Sequence, residues 1–466
     1  MQLKEPIEQL IRNPREFTAN MSFPDPAQLR IYDETLRDGE QMPGVCFTPK
    51  QKYEIAERLA DIGVHIISVG FPAASEGDRK TLQMVMEGKR RGDMRDVEIV
   101  VMCRSNRNDI DVTVETLETA GISPADVTFF IFTSGSDLHL KYKIGKTLLR
   151  FEGKDENQWL DMPLEFYRRA NINLQCDVIR YARDRGVKRV EFGAEDGSRG
   201  DVEYFIEYFK AGLAAGGGRP AWPDTVGCLT PEAARWYCSR IVNAMPAGLP
   251  MVCHFHNDYG LGTINAITAI ASGFKVCSVT ANGYGERAGN VPLHQLVTAL
   301  NVLYGVEIPG FKYNKLRELA RFMERMTGVP VQQHEPIVGD KVFAHESGIH
   351  THAMLIDRRM YEAVPAELVG GKMEFVYGKH SGVAIVEDAL RNHEAQLAAH
   401  GVSIDNDLIK RVTGEIKRLR EERADSSRSV ETIEAYQAAM KGLSISESEV
   451  IDIAVAIAKP QAAAAS

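Results

Sequence analysis

His254 and His256 stand two apart in the segment His254-Phe-His-Asn-Asp, directly after the mostly apolar run Leu249-Pro-Met-Val-Cys253. Side chains alternate along a strand, so both imidazoles face one way and Phe255 the other, which is how a strand end offers two ligands to one metal ion. Asp38, in Tyr32-Asp-Glu-Thr-Leu-Arg-Asp-Gly-Glu-Gln, and the carbonyl of Asn290 extend this to a nitrogen and oxygen donor set without thiolate. Such a set suits Mg2+ or Mn2+ in an octahedral site and admits Zn2+ or Co2+. Four protein ligands leave about two of six positions open, room for the carboxylate and keto oxygens of a 2-oxo acid, whose carbonyl carbon then becomes electrophilic. Arg37, beside Asp38, is placed to stabilise the alkoxide that forms when a nucleophile attacks.

Elements far apart in sequence must bring these residues together. From residue 29 to about 304 short β-branched or apolar runs alternate with amphipathic helical segments, and the spacing predicts strands over 29–35, 65–70, 97–103, 126–132, 187–192, 221–226, 250–255 and 276–281. The first helix announces its start with Thr48 as N-cap and Pro49 at its first position and ends at Gly63; Gly121, Gly186 and Gly273 end later helices. Eight such units match a (β/α)8 barrel, which typically takes ~250 residues, better than an open doubly wound sheet. No Gly-x-Gly-x-x-Gly follows the first strand, which counts against a dinucleotide fold. A barrel demands catalytic side chains just past the C-terminal ends of its strands. Arg37 and Asp38 follow strand one, Arg104 strand three, His139 strand four, Glu195 strand five and Asn290 strand eight, while Thr225 ends strand six and the histidines end strand seven.

The chain then divides into an N-terminal extension (1–28), the barrel (29–304), a linker or subdomain (305–385) and a C-terminal helical subdomain (386–466). The linker carries Phe343-Ala-His-Glu-Ser-Gly-Ile-His-Thr-His and Tyr377-Gly-Lys-His-Ser-Gly, compositions unlike a helix interior. The tail 461–466 is expected to fray.

A chain of 466 residues with 44% hydrophobic and 26% charged residues has ample material for a core. The net charge of -9 gives no reason to expect nucleic acid or an anionic membrane as partner. Seven scattered cysteines without a Cys-x-x-Cys pair, a start lacking a basic then apolar leader, and no run of about 18 apolar residues fit a soluble protein of the reducing cytoplasm.

The segments Tyr32 to Gln41, His254 to Asp258 and Asn282-Gly-Tyr-Gly-Glu-Arg-Ala-Gly-Asn290, with Glu191-Phe-Gly-Ala-Glu-Asp, Pro223-Asp-Thr-Val-Gly and Phe343-Ala-His-Glu-Ser-Gly-Ile-His, resemble the 2-isopropylmalate synthase and homocitrate synthase family over roughly residues 29 to 390. The resemblance implies an acyltransferase: a Claisen condensation of acetyl-CoA with a 2-oxo acid, then thioester hydrolysis to a 2-hydroxy diacid or triacid. It implies Asp38, His254 and His256 as ligands of a divalent metal with Asn290 near or on it, Arg37 as the catalytic arginine, and Glu195 and Thr225 as polar groups contacting substrate. It also implies a homodimer whose post-barrel segment reaches the partner's site, with His350 the leading candidate for proton transfer at the acetyl methyl group, His345 the second, and His139 in a loop that orients substrate.

Departures from the family pattern concern the substrate. Gly193 stands where isopropylmalate-forming relatives carry Ser and reshapes the 2-oxo acid pocket, and Tyr259 stands where Leu is usual. Gly348-Ile-His-Thr-His352 is closer to homocitrate synthases, whereas Arg37-Asp38-Gly39 is closer to the isopropylmalate type. Relatives using oxaloacetate (Re-citrate synthase) or phosphinopyruvate and phosphonopyruvate share these motifs, and Arg104 or Arg107 could meet a second anionic group. The glycine-rich loop 283–289 could cradle an anion on its amides. It has no cysteine, which counts against a hydroxyacyl-CoA lyase, and the complete ligand set counts against a non-catalytic barrel. A chain ending near residue 460 leaves no room for a long regulatory domain, so leucine inhibition is not expected.

Overall fold

The strand runs are apolar on both faces, as in Glu98–Arg104 (EIVVMCR), because one face lines the barrel interior and the other receives helices. The computed structural model describes residues 13–18, 21–94, 96–424 and 427–458. The leader region 1–12 and the tail 461–466 lie outside the described residues. All eight predicted strands form, with ends displaced by a few residues: β1 Arg30–Asp33, β2 Ile66–Ser68, β3 Glu98–Arg104, β4 Thr128–Ser134, β5 Arg189–Glu195, β6 Arg219–Asp224, β7 Val252–Phe255 and β8 Val276–Val279. They pair in parallel in sequence order, and β8 closes on β1 with Arg30 opposite Val276 and Asp33 opposite Val279. The chain is a (β/α)8 barrel.

Helices follow the strands as the punctuation predicts. The helix Pro49–Ile62 (α1) is capped by a reciprocal pair in which the Thr48 hydroxyl accepts from the Gln51 N–H and the Gln51 side chain accepts from the Thr48 N–H. The others on the barrel are α2 Glu76–Arg91, α3 Arg107–Thr119, α4 Asp137–Tyr142, α5 Gly145–Phe151, α6 Leu164–Asp184, α7 Val202–Ala214, α8 Pro231–Ala244, α9 Gly262–Ala271 and α10 Leu293–Tyr304. The main core lies between strands and helices; a second cluster of Tyr32, Ile66, Val100, Ala221, Val252 and Val276 fills the lower barrel. No described helix is long and apolar enough to cross a membrane.

Beyond the barrel the amphipathic helix α11 (Leu316–Thr327) buries Leu316, Leu319, Ala320, Phe322 and Met323 in the main core. It was not anticipated within a segment read as linker. The motif 343–352 also departs from its non-helical reading, because Gly348–Met354 is a short helix, α12. A Cβ on Gly348 would lie 2.8 Å from the Gly382 nitrogen, so glycine serves a close backbone approach there rather than a break in the helix. Helices α13 (Val383–Asn392) and α15 (Asn406–Glu422), on either side of α14 (Glu394–Ala399), share a small core of Ile385, Val386 and Ile409. Two further helices, α16 (Ser427–Lys441) and α17 (Glu447–Ala458), follow.

Candidate metal centre at the barrel mouth

The chain leaves β1 in a tight turn in which the Glu34 carbonyl accepts the N–H groups of Arg37, Asp38 and Gly39 at 3.1, 2.8 and 3.1 Å. That turn sets the Arg37 and Asp38 side chains over the barrel axis. Two strands along the closed sheet from β1, with β8 between, His254 near the end of β7 points inward, and His256 follows it. The glycine loop 283–289 folds back so that Asn290 pairs with His256 in an isolated antiparallel bridge, with the Asn257 N–H donating to the Gly289 carbonyl at 2.9 Å. The amides of Gly283, Tyr284 and Gly289 are satisfied by carbonyls of residues 280–286. For those amides the loop is a device for placing Asn290 rather than an anion cradle.

Ligand atoms of Asp38, His254 and His256 lie within 4.8 Å of one another. The two Nε2 atoms are 3.2 Å apart, and Asp38 Oδ2 is 3.5 Å from one and 3.9 Å from the other. Donors bound at about 2.1 Å around one ion stand roughly 3.0 to 3.4 Å apart, so a small contraction converts this arrangement into a coordination shell. Asn290 Nδ2 donates to Asp38 Oδ2 at 2.7 Å, which leaves its Oδ1 buried without a hydrogen-bond partner beside the cluster. An orphaned carbonyl oxygen, a carboxylate and two converging imidazole nitrogens fit a divalent cation.

The electrostatics agree. Burial works to raise the Glu34 and Asp38 carboxyls, but the Arg37 and His254 charges more than offset it and hold both below the usual carboxylate range. Burial works to lower His254, yet Glu34 raises it overall, while burial and the His254 charge push His256 down to about 4. Two imidazoles sharing one spot cannot both keep a proton there, and the neutral nitrogen is the metal-binding form.

Glu34 is the residue the sequence reading missed. Its Oε2 accepts from His254 Nδ1 at 2.7 Å and from the Ser278 hydroxyl, and its Oε1 accepts from Arg37 Nη2. The Nδ1–H bond selects the tautomer whose Nε2 lone pair faces Asp38. Glu34 lies immediately past β1, two residues after Tyr32, so continuing the strand alternation was the available signal. Glu34→Gln is expected to weaken binding of a divalent ion by about 10 to 100-fold while the fold is retained; titration calorimetry on the metal-free variant reads this directly, and unchanged affinity contradicts the assignment.

A cavity of about 230 Å3 opens at the strand ends, lined among others by Arg37, Asp38, Glu195, Thr225, His254 and His256. Asn290 borders it through Asp38. Glu195 accepts from the Ser134 hydroxyl at 3.0 Å and from Lys143, and stands 3.2 Å from His139 Nδ1 on α4. Thr225 Oγ1 accepts from the Asp196 N–H at 2.7 Å. Gly193 is inward on β5, where a Cβ would come within 2.6 Å of the Ala221 carbonyl oxygen. The approach of β5 to β6 therefore demands glycine there, independently of any substrate. Arg104 is outside the cavity lining, 56% exposed and held by Asp109 through two bonds of 2.9 and 3.0 Å; Arg107 is held by Asp177. His345 and His350 are also outside that lining. They lie in the post-barrel segment, His345 on a short strand and exposed His350 on α12, its ring stacked 4.0 Å from Tyr361.

A closed parallel barrel whose C-terminal mouth carries a two-histidine, one-carboxylate donor set beside a buried arginine defines a metal-site barrel enzyme. Residues 28–154 and 160–323 match the HMGL-like family, and residues 337–424 match the homocitrate synthase post-HMGL domain-like family. A probable 2-isopropylmalate synthase of Ignicoccus hospitalis is 38% identical over 84% of this chain and 88% of its own length. The homocitrate synthase of Methanothermobacter thermautotrophicus is 34% identical over 86% of this chain and 91% of its own. Among solved structures, the hydroxymethylglutaryl-CoA lyase of Pseudomonas aeruginosa shares the fold at 18% identity, with a TM-score of 0.50 over 66% of this chain and 95% of that one. The chain belongs to the HMGL-like family, among its 2-isopropylmalate and homocitrate synthases, and is an enzyme of the acyltransferase class.

Proposed function

We propose that this enzyme joins the methyl carbon of acetyl-CoA to the keto carbon of a 2-oxo acid and hydrolyses the thioester, releasing CoA and a 2-hydroxy acid with one added carboxyl group. The carrying observation is the convergence of Asp38, His254, His256 and the free Asn290 oxygen on one point, with the Arg37 guanidinium beside it. These four residues would hold the divalent cation. A bound divalent cation acts as a Lewis acid that polarises a keto group and fixes its orientation. Arg37 keeps a permanent positive charge where the keto oxygen becomes negative, in a buried site where each charge counts for more than in water. Glu34 and Asp38 grip two of its nitrogens, so the guanidinium is oriented before substrate arrives, and its Nε is buried without a partner. Thr225 and Glu195 line the space that the acid must enter.

In the bond change, the acetyl methyl group loses a proton, a C–C bond forms and the keto oxygen takes up a proton; water then breaks the C–S bond. The base we assign to the first step is His350, supplied by the post-barrel segment of a second copy, with His345 next in line. Neither lines the cavity of its own chain, and this together with the 77% exposure of Ile349 beside His350 supports a contribution across two copies. Release of free thiol from acetyl-CoA, dependent on both a 2-oxo acid and a divalent ion, tests the reading. Thiol release that a chelator leaves unchanged would sink it.

A further inference from the structure

The assignment of acetyl-CoA condensation leaves open which 2-oxo acid is used, and the inner wall of the cavity bears on that. With the keto and carboxylate end at Asp38, His254 and His256, the rest of the acid faces Met102, Phe130, Phe132, Ala221 and Val252. These side chains are uncharged and apolar; Tyr32, whose hydroxyl is buried without a partner, and Glu191 line the same cavity, and neither offers a positive charge. Barrel interiors are ordinarily filled by bulky branched residues in layers. Here the small Ala221 on β6 lines the cavity, while its register partner Gly193 on β5 is closed off by the Ala221 backbone and the Phe130 ring.

A second anionic group on the substrate would need a cation. Arg37, Arg287, Arg104 and Lys143, at the mouth or rim, each serve a carboxylate already. Arg37 is held by Glu34 and Asp38, and Arg287 by both oxygens of Asp258 at 2.8 and 3.0 Å. Arg104 is held by Asp109 and Lys143 by Glu195. Two more carboxylates, Glu191 and Glu286, also contribute to the lining. An incoming carboxylate or phosphonate would thus be desolvated among apolar groups and like charges, and any cation drawn to it would have to leave or share the carboxylate it already serves.

Resting on the condensation reading, we propose that the substrate is a 2-oxo acid with an uncharged, apolar side chain, and that Ala221, on the cavity wall, sets how large that side chain can be. Acids with a second anionic group are rejected by the charge balance of the lining rather than by size.

The test uses the full chain, saturating acetyl-CoA and added Mn2+ or Mg2+, and reads free thiol. Pyruvate, 2-oxoisovalerate, 4-methyl-2-oxopentanoate and phenylpyruvate are compared with oxaloacetate, 2-oxoglutarate and phosphonopyruvate. The best apolar acid is expected to exceed every anionic one in kcat/KM by at least about 100-fold, the scale of an unpaired charge buried in a site. Ala221→Leu, which adds bulk to the cavity wall, is expected to lower kcat/KM for 4-methyl-2-oxopentanoate relative to pyruvate by about 10-fold or more within the same protein. An anionic acid turned over within about 10-fold of the best apolar one, a tenfold step being ~1.4 kcal/mol, overturns this proposal alone. Failure of the whole panel overturns it together with the condensation reading.

Discussion

His254→Ala lowers acetyl-CoA-dependent release of free thiol by roughly 10³-fold or more, and Asp38→Ala does the same. Either change removes one of the donors that converge within 4.8 Å, and for Asp38 also the acceptor that orients Asn290. Lewis-acid stabilisation is worth several kcal/mol at the transition state, so losing the ion costs about three powers of ten. His254→Ala additionally strips Glu34 of its imidazole partner and leaves that carboxylate to Arg37 and Ser278. Metal content of the purified variants is the companion readout: it falls in both, while the far-ultraviolet circular dichroism of the barrel is kept. Retained turnover in either variant would remove the metal from the account.

Arg37→Ala separates the charge on the arginine from the metal. Loss of a preorganised charge at a developing oxyanion costs about 10² to 10³-fold in kcat. The same change takes the guanidinium charge from the buried Glu34 and Asp38 carboxylates and leaves them only His254, Ser278 and Asn290 as partners, which favours a divalent cation. Metal affinity is therefore expected to hold or rise while kcat falls, and the metal-free protein should unfold at lower temperature than the wild type. Arg37→Lys is not expected to rescue, because one ammonium cannot span Glu34 and Asp38 as a planar guanidinium does. Parallel loss of metal and activity in Arg37→Ala would show that the arginine only supports the fold of the site.

Strand periodicity and turn residues were enough to find all eight strands, the capped start of α1 and the placement of Asp38, His254 and His256 at one end of the barrel. These features are local, set by alternation and by residues such as Thr48 and Pro49. Glu34 was legible by the same alternation, but a carboxylate inside a barrel becomes meaningful only once Ser278, 244 residues away, and His254 are seen to share it. Arg104 follows a strand end as a functional residue would; which way its side chain leans is decided by Asp109 one helical turn on, and it turns outward. The pairing of Gly348 with Gly382 depends on two segments meeting, so the helix at 348–354 could not be read from its glycine.

The charge balance of the cavity was equally hidden. Arg104 and Arg107 were the cations the sequence offered to a second anionic group, and only the folded chain shows each one held by a carboxylate, as are Arg37, Arg287 and Lys143. That commitment connects the two halves of the account. Arg37, which we propose serves the keto oxygen, is gripped by Glu34, which also holds His254, and by Asp38, itself one of the converging donors.

The central claim, metal-dependent carbon–carbon bond formation from acetyl-CoA, is tested most directly by following acetyl-labelled acetyl-CoA with 2-oxoisovalerate and Mn2+ by mass spectrometry. The account predicts one labelled 2-hydroxy dicarboxylate per CoA released, with formation stopped by a chelator and restored by excess metal. Label recovered as free acetate, or labelled product formed at the same rate in chelator, would contradict it.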